Sequence, residues 1–319
     1  MKKPAIAVVI FGLALAGALA QRRWWGGYPG GGDTGYTHTE ENVAVNVDKV
    51  RTAREIAEHS TETPNWTNPA GFDKDVFTFA RIIYRRAADG PRISSTSSVI
   101  GWITDFPDSD LNLSYRIQQV TSIRTDPDGR VLRLTDPVLF DYPWIYMVEP
   151  GGLELRPEEM LILRKYLENG GVLMADDFWG KKQWDNFERN IKLVLPQREF
   201  VELDMTNELF HCVFNLNVPK NSLQTPNYRQ GINSLIPGSR DYGITWERYH
   251  DDYDRQGARD MHVRAIFDER GRIMVIAMHN CDNGDGWERE GEEDGFFHEF
   301  SEKRAYPLAI NTIFYLMTH

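Results

Sequence analysis

The chain reads as an α/β protein with a mostly parallel sheet covered by helices on both faces, and two observations predict it. The first is the stretch 158–180. Met160, Leu163, Tyr166 and Leu167 fall on one helical face, and Asn169-Gly170-Gly171 stops the helix, because glycine enters left-handed conformations without a Cβ clash. The apolar run Val172–Ala175 follows and ends in Asp176-Asp177. Helix, stop, buried strand and acidic strand end make one winding of an open α/β sheet, whose ligands sit at strand carboxyl ends. The second observation is the alternation of strands and helices along most of the remaining chain, the pattern of a sheet covered on both sides.

Taken in order, the spacing predicts a strand over Val76–Tyr84, then a helix over Leu111–Ile123 after the loop Trp102–Asp108. Short and buried strands follow at Val131–Leu134 and Trp144–Val148. Pro157 stands at a helix start, where its fixed φ fits. Lys182–Leu193 is the next helix. His262–Phe267 and Ile273–Met278 flank Asp268-Glu269-Arg270-Gly271 as a hairpin. Ala305–Met317 is the closing helix. Residues 204–260 are polar and turn-rich without a clear period, which marks an insertion or long crossover.

Upstream of this domain, Val43–Glu58 has weak helical character, with Val47, Val50, Ala53, Ile56 and Ala57 on one face, and Thr61–Gly71 reads as a loop. Trp24–Gly35 is a Gly-rich linker. The expected organisation is therefore a signal over 1–20, a linker with weak helix over 21–72, and an α/β domain over 73–319.

The first residues read as an export signal. Lys2 and Lys3 precede an apolar run from Ala5 to Leu19, and Ala18-Leu19-Ala20 is an A-x-A cleavage site before Gln21. Arg22 and Arg23 just beyond it keep an uncleaved anchor as the alternative. The expected location is the periplasm or the medium. The chain has 319 residues and a formal net charge of −11, with no basic patch to face phosphate, which argues against a nucleic-acid partner. Its two cysteines, Cys212 and Cys281, are either a disulfide or two buried thiols.

Candidate site residues gather where predicted strands end. Asp176 and Asp177 could form a general acid/base pair, ligate a metal, or cap the helix that follows. Asp176 shares the face of Val172 and Met174, so it is expected to be the inward, ligand-facing member, with Asp177 as the cap. In the set Asp105, Asp108 and Asp110, Asp108 sits where an N-cap belongs, which leaves Asp105 as the site candidate. Counted from Cys281, the residues Asn283, Asp285, Gly286 and Glu292 fall at the third, fifth, sixth and twelfth places of a calcium loop. The first place is Cys, however, and a strand precedes it, so a polar, Gly-rich Ω-loop tied down by Trp287 is the plainer reading. Asp282, Asp285 and Glu288 are the candidate metal ligands here, and a divalent cation is the one cofactor left open. His279 follows an apolar run and is either a catalytic or a hydrogen-bonded structural residue; His211 is similar. No paired Cys or His spacing supports zinc.

Several motifs in order resemble the exported bacterial family described as domain of unknown function 4159. They are Phe77-Thr78-Phe79-Ala80-Arg81, Trp102-Ile103-Thr104-Asp105-Phe106-Pro107, Phe140–Tyr146, Gly170–Phe178 and Asn280–Glu288. The resemblance implies a flavodoxin-like, class I glutamine amidotransferase-like three-layer sandwich, with the ThuA-like proteins as cousins. Those share the Gly-Gly strand, a Gly-Arg hairpin (here Gly271-Arg272) leading to a His (here His279), and a closing helix. Amidotransferases carry a Cys at a tight strand–helix turn; this chain has Asp176-Asp177 there. Cys212 lacks the small neighbours of a nucleophile elbow. No G-x-S-x-G, P-loop or dinucleotide fingerprint occurs.

The expected function is a cell-envelope module that binds an unidentified small molecule, a carbohydrate being one candidate, or an accessory protein with an envelope partner, without amidotransferase activity. Its expected pocket combines Asp105, Asp176, Asp177, His279 and Asp282. The alternative is a hydrolase or isomerase acting on a carbohydrate-like substrate through the same carboxylates.

Overall fold

The computed structural model describes residues 35–39, 42–59, 62–72, 75–87, 101–248 and 257–319. The expected signal over 1–20 and nearly all of the Gly-rich linker lie outside them.

Seven strands form the central sheet. In chain order they are β3 (Ala80–Ile83), β5 (Arg130–Arg133), β6 (Trp144–Val148), β8 (Val172–Phe178), β9 (Val201–Glu202), β10 (His262–Phe267) and β11 (Ile273–His279). Their spatial order is β5-β3-β6-β8-β11-β10-β9. The first five are mutually parallel, and β10 and β9 complete the sheet antiparallel to their neighbours. Two small ribbons stand apart: β1 (Tyr36–His38) with β2 (Ala44–Asn46), and β4 (Arg85–Arg86) with β7 (Leu153–Glu154).

The non-alternating apolar runs are strands buried on both faces. Along β8, Leu173 and Ala175 join a core with Leu163, Tyr166 and Leu167 of α2 (Pro157–Glu168) and Phe187 and Ile191 of α3 (Gly180–Val194). Val172 and Met174 join the opposite core, with Leu113 and Ile117 of α1 (Asp108–Val120) and Leu308, Ile310 and Ile313 of the closing helix. The result is an α/β/α sandwich in which each fully buried Leu or Ile contributes about 1.5–3 kcal/mol. Gly170 stops α2 with φ of 107°, as its composition predicts. Pro157 is the first residue of α2, also as predicted.

Further helical segments lie along the described residues. α4 (Tyr228–Leu235) lies inside the polar insertion and α5 (Asn283–Glu288) follows β11 directly. A stretch of π-helix, Phe297–Ala305, then runs into α6 (Tyr306–Thr318). None of the helices among the described residues is long and apolar enough to cross a membrane.

Several boundaries differ from the sequence reading. β8 runs on through Asp176 and Asp177 to Phe178, so both carboxylates lie inside the strand. α1 starts at Asp108, with Pro107 rather than Asp108 at its N-cap. The Asp108 carboxylate instead accepts the His59 backbone N–H at 2.9 and 3.1 Å. In place of the weak helix over 43–58 there is β2 and a 3-10 turn, Ala53–Glu55. This segment is not a free linker, because Val45, Val47, Val50 and Ala53 are buried in the main core. It also lies along the edge of the sheet: Val131 of β5 donates its N–H to Arg51 O at 2.8 Å, and Ala53 donates to Asp128 O at 2.9 Å. The cysteines are not bridged: Cys281 is buried and Cys212 half-buried, both as free thiols.

Candidate functional site

The carboxyl edge of the parallel strands gathers three chain segments. The loop after β3 carries Asp105, the end of β8 carries Asp176 and Asp177, and the turn after β11 leads into α5 with Asp282, Asp285 and Glu288. Carboxylate oxygens of Asp105, Asp177 and Asp282 lie within 4.8 Å of one another, and so do those of Asp105, Asp285 and Glu288. Asp105 belongs to both groups. All five residues are at most 6% exposed.

The local backbone explains how the groups meet. Asp105, Asp177 and Asn280 have φ of 61°, 53° and 61°, conformations that cost a non-glycine residue on the order of 1–3 kcal/mol and persist only where the surroundings enforce them. The pairing of β8 with β11 shifts register between Ala277 and His279, and such an irregularity re-aims side chains at a strand end. The Asp105 loop is held from beneath by Arg81, a fully buried guanidinium in β3 that donates to Trp102 O at 2.9 Å and Thr104 O at 2.8 Å. Its Nε donates to both Asp110 carboxylate oxygens at 3.1 and 3.0 Å. Burial alone would lower the Arg81 pKa, but the Asp110 charge and its hydrogen bonds lift it above its ordinary value.

Asp176 and Asp177 both take roles other than those that strand alternation and capping predict. Asp176 does point to the Val172 and Met174 face, but there it is consumed by hydrogen bonds. It accepts the Asn283 N–H at 3.1 Å, Asn283 Nδ2 at 2.8 Å, the Gly284 N–H at 3.2 Å and the Tyr146 hydroxyl at 3.2 Å. Burial, then the Asp177 charge, raises its pKa to about 7 against the pull of Asn283. Asp176 therefore pins the start of α5. Asp177 does not cap α3: Gln183 Oε1 accepts the Trp179 N–H at 2.7 Å and Asn280 Oδ1 accepts the Gly180 N–H at 2.7 Å. Asp177 accepts the Trp179 indole N–H at 2.8 Å and joins Asp105 and Asp282.

Asp282 is the N-cap of α5, accepting the Asp285 N–H at 2.9 Å. Its carboxyl is held well above the ordinary range, first by burial and then by the charges of Asp177, Asp285 and Asp105. Asn283–Glu288 is helical, so the twelve-residue calcium-loop reading fails, although Asp285 and Glu288 still face Asp105. His279 is not part of the group. Its ring packs against Phe178 and Trp184, Nε2 donates to Gly180 O at 3.0 Å, and Nδ1 faces Arg264 at 3.3 Å. Burial depresses its pKa to about 3, so it is a neutral structural imidazole. His211 is likewise tied to Asn215 and Met205 O.

Arg81, Arg289 and His59 were not foreseen, and Asn283 was read as a place in a calcium loop rather than as the partner of Asp176. Only Arg81 leaves a clear trace in the sequence, as a lone cation inside the apolar run Phe79–Tyr84 that demands a buried partner.

Fold and site together define a class: an α/β domain with a buried, oxygen-only carboxylate cluster at the carboxyl edge of its parallel strands. The chain belongs to the family described as Domain of unknown function (DUF4159), whose family model matches residues 79–317. No curated protein matches the sequence.

Proposed function

We propose that this chain is an exported module that holds a divalent cation at Asp105, Asp177 and Asp282, with Asp285 and Glu288 alongside, and uses the ion to bind a carbohydrate-like molecule. The observation that carries this reading is the pair of carboxylate groups sharing Asp105, all buried. Buried carboxylates this close cannot all be ionised without a cation among them; otherwise at least one must hold a proton. The donor set is oxygen only, which suits a hard cation such as Ca²⁺, Mg²⁺ or Mn²⁺ rather than zinc. Vicinal hydroxyls of a polyol are suitable oxygen donors to complete the shell of such an ion.

The parallel strands, numbered among themselves in chain order, lie 2-1-3-4-5, the flavodoxin-like order. That supports the class I glutamine amidotransferase-like reading of the fold. Glutamine hydrolysis is not assigned, because the Cys281 thiol is buried and pushed upward, first by burial and then by the Asp176 charge, the opposite of an activated thiolate. The basic start, apolar run and A-x-A site support export to the periplasm or medium.

A second reading, a carbohydrate-directed hydrolase or isomerase, is favoured by Asp282. A carboxyl whose proton is held more tightly than usual, as burial and nearby carboxylates do here, suits a general acid.

The test is thermal unfolding of the EDTA-treated protein with Ca²⁺, Mg²⁺ or Mn²⁺ added. At about 100-fold above Kd, an ion bound only by the folded state adds about 2.7 kcal/mol. Asp105→Asn should abolish the increment. If no ion stabilises the wild type, the cation reading is wrong; turnover of a polyol in EDTA would then favour the second.

A further inference from the structure

The two halves of the carboxylate cluster differ in one respect. Against the Asp285 and Glu288 half stands Arg289, a guanidinium built into the same stretch of chain. Its Nε lies 2.6 Å from Glu288 Oε2 and 3.6 Å from Asp285 Oδ1. Its Nη1 lies 3.3 Å from Glu292 Oε1 and 2.8 Å from His59 Nε2. His59 Nδ1 in turn lies 2.7 Å from Glu292 Oε1. Arg289 Nη1 also lies 3.2 Å from His59 Nδ1, so the imidazole and Glu292 together hold the outer end of the guanidinium. The Arg289 guanidinium also lies 5.3 Å from the Tyr228 ring centroid, and its side chain is 11% exposed.

We infer that Arg289 is a tethered counter-ion occupying the Asp285 and Glu288 half of the site, so that the domain takes one divalent cation, at Asp105, Asp177 and Asp282, and not two. This rests on the cation reading above. Five carboxylates in two groups sharing one residue have the outline of a two-metal site, in which a bridging carboxylate spans both ions. A guanidinium within ion-pair distance of two members of one group supplies the positive charge that a second ion would bring. A mobile ion must also compete with a cation that pays no translational entropy to be there. His59, which precedes the family-matched span, acts through Arg289 as a positioning residue: together with Glu292 it fixes the outer end of the guanidinium.

Titration calorimetry and elemental analysis on the whole chain, with Ca²⁺ and Mn²⁺ as probes, test this directly. The wild type should bind one ion per chain and stay at one at millimolar concentration. Arg289→Gln and Arg289→Met should each bind two, the second within about tenfold of the first. Arg289→Lys, which keeps the charge, should stay at one. Two ions on the wild type, with comparable affinities, overturn the proposal without any variant. One ion on every folded Arg289 variant overturns it as well. A wild type that binds none overturns the cation reading itself, a separate result.

Discussion

The Asp105 carboxylate lies directly over Gly284: a Cβ added at residue 284 would stand 1.8 Å from Asp105 Oδ2. The Gly284 N–H is meanwhile spent on Asp176 at 3.2 Å. One glycine thus lets two acidic side chains from different strand ends approach the start of α5, one holding the helix in place and the other lying across it.

Gly284→Ala is therefore expected to displace the Asp105 carboxylate. Overpacking of this kind costs about 1–3 kcal/mol. Urea unfolding should show that loss, and ion titration of the folded variant should show weakened binding. An alanine variant as stable as the wild type, with unchanged ion affinity, would mean that the loop carrying Asp105 yields freely.

Arg81→Met should cost about 3–5 kcal/mol, because it strands the Asp110 charge in the core. Adding Asp110→Leu should restore part of that loss. Recovery should stay incomplete, since the Trp102 and Thr104 carbonyls that Arg81 serves remain without that donor. Denaturant midpoints of the two variants decide it; a double variant no more stable than Arg81→Met would show that the ion pair is not the main term.

Asp176→Asn and Asp177→Asn should separate stability from binding. The first removes the acceptor that faces Asn283 Nδ2 and should lower unfolding stability by about 1–3 kcal/mol. The second should act mainly on the stabilisation gained when an ion is added. Melting curves of each variant with and without Ca²⁺ check this, and the reverse pattern would return Asp176 to the ligand-facing role that strand alternation first suggested.

The pH dependence should carry two opposed contributions. His279 is depressed to about 3 by burial, below its ordinary 6.5. Its contribution is full above pH 6.5 and is lost as pH falls towards about 3, on the order of a few kcal/mol. Asp176 is raised to about 7, so its contribution is full below the ordinary carboxylate range and is lost as pH rises to about 7. His279→Gln should flatten the acid limb of a stability–pH curve, and Asp176→Asn should steepen it. Parallel curves for all three proteins would refute both assignments.

Much of this architecture was legible in the sequence because its signals are local. The glycine stop at Gly170, Pro157 at N1 and the apolar run of β6 each fix backbone geometry within a few residues. The gathering of the carboxylates was legible, since each lies at or beyond the end of a predicted strand and parallel strands bring their carboxyl ends to one edge. What could not be read was which member of a pair faces the cluster. Alternation placed Asp176 on the inner face correctly, but whether an inner carboxylate meets a ligand or four hydrogen-bond donors depends on α5, more than a hundred residues further along the chain. The positive φ of Asp177 breaks the alternation altogether. His279 was ambiguous for a related reason: Gly180 O, which accepts from its ring, comes from the start of α3, 99 residues earlier in the chain.

Trimmed to residues 79–317, the protein would present β5 as a bare border. The Val131 N–H and the Asp128 carbonyl, now satisfied by Arg51 and Ala53, would be offered to any strand that came by. Two such molecules could satisfy each other there, so the trimmed species should self-associate in a concentration-dependent way where the longer chain stays monodisperse. Residues ahead of the family-matched span would then be serving as the guard of that border.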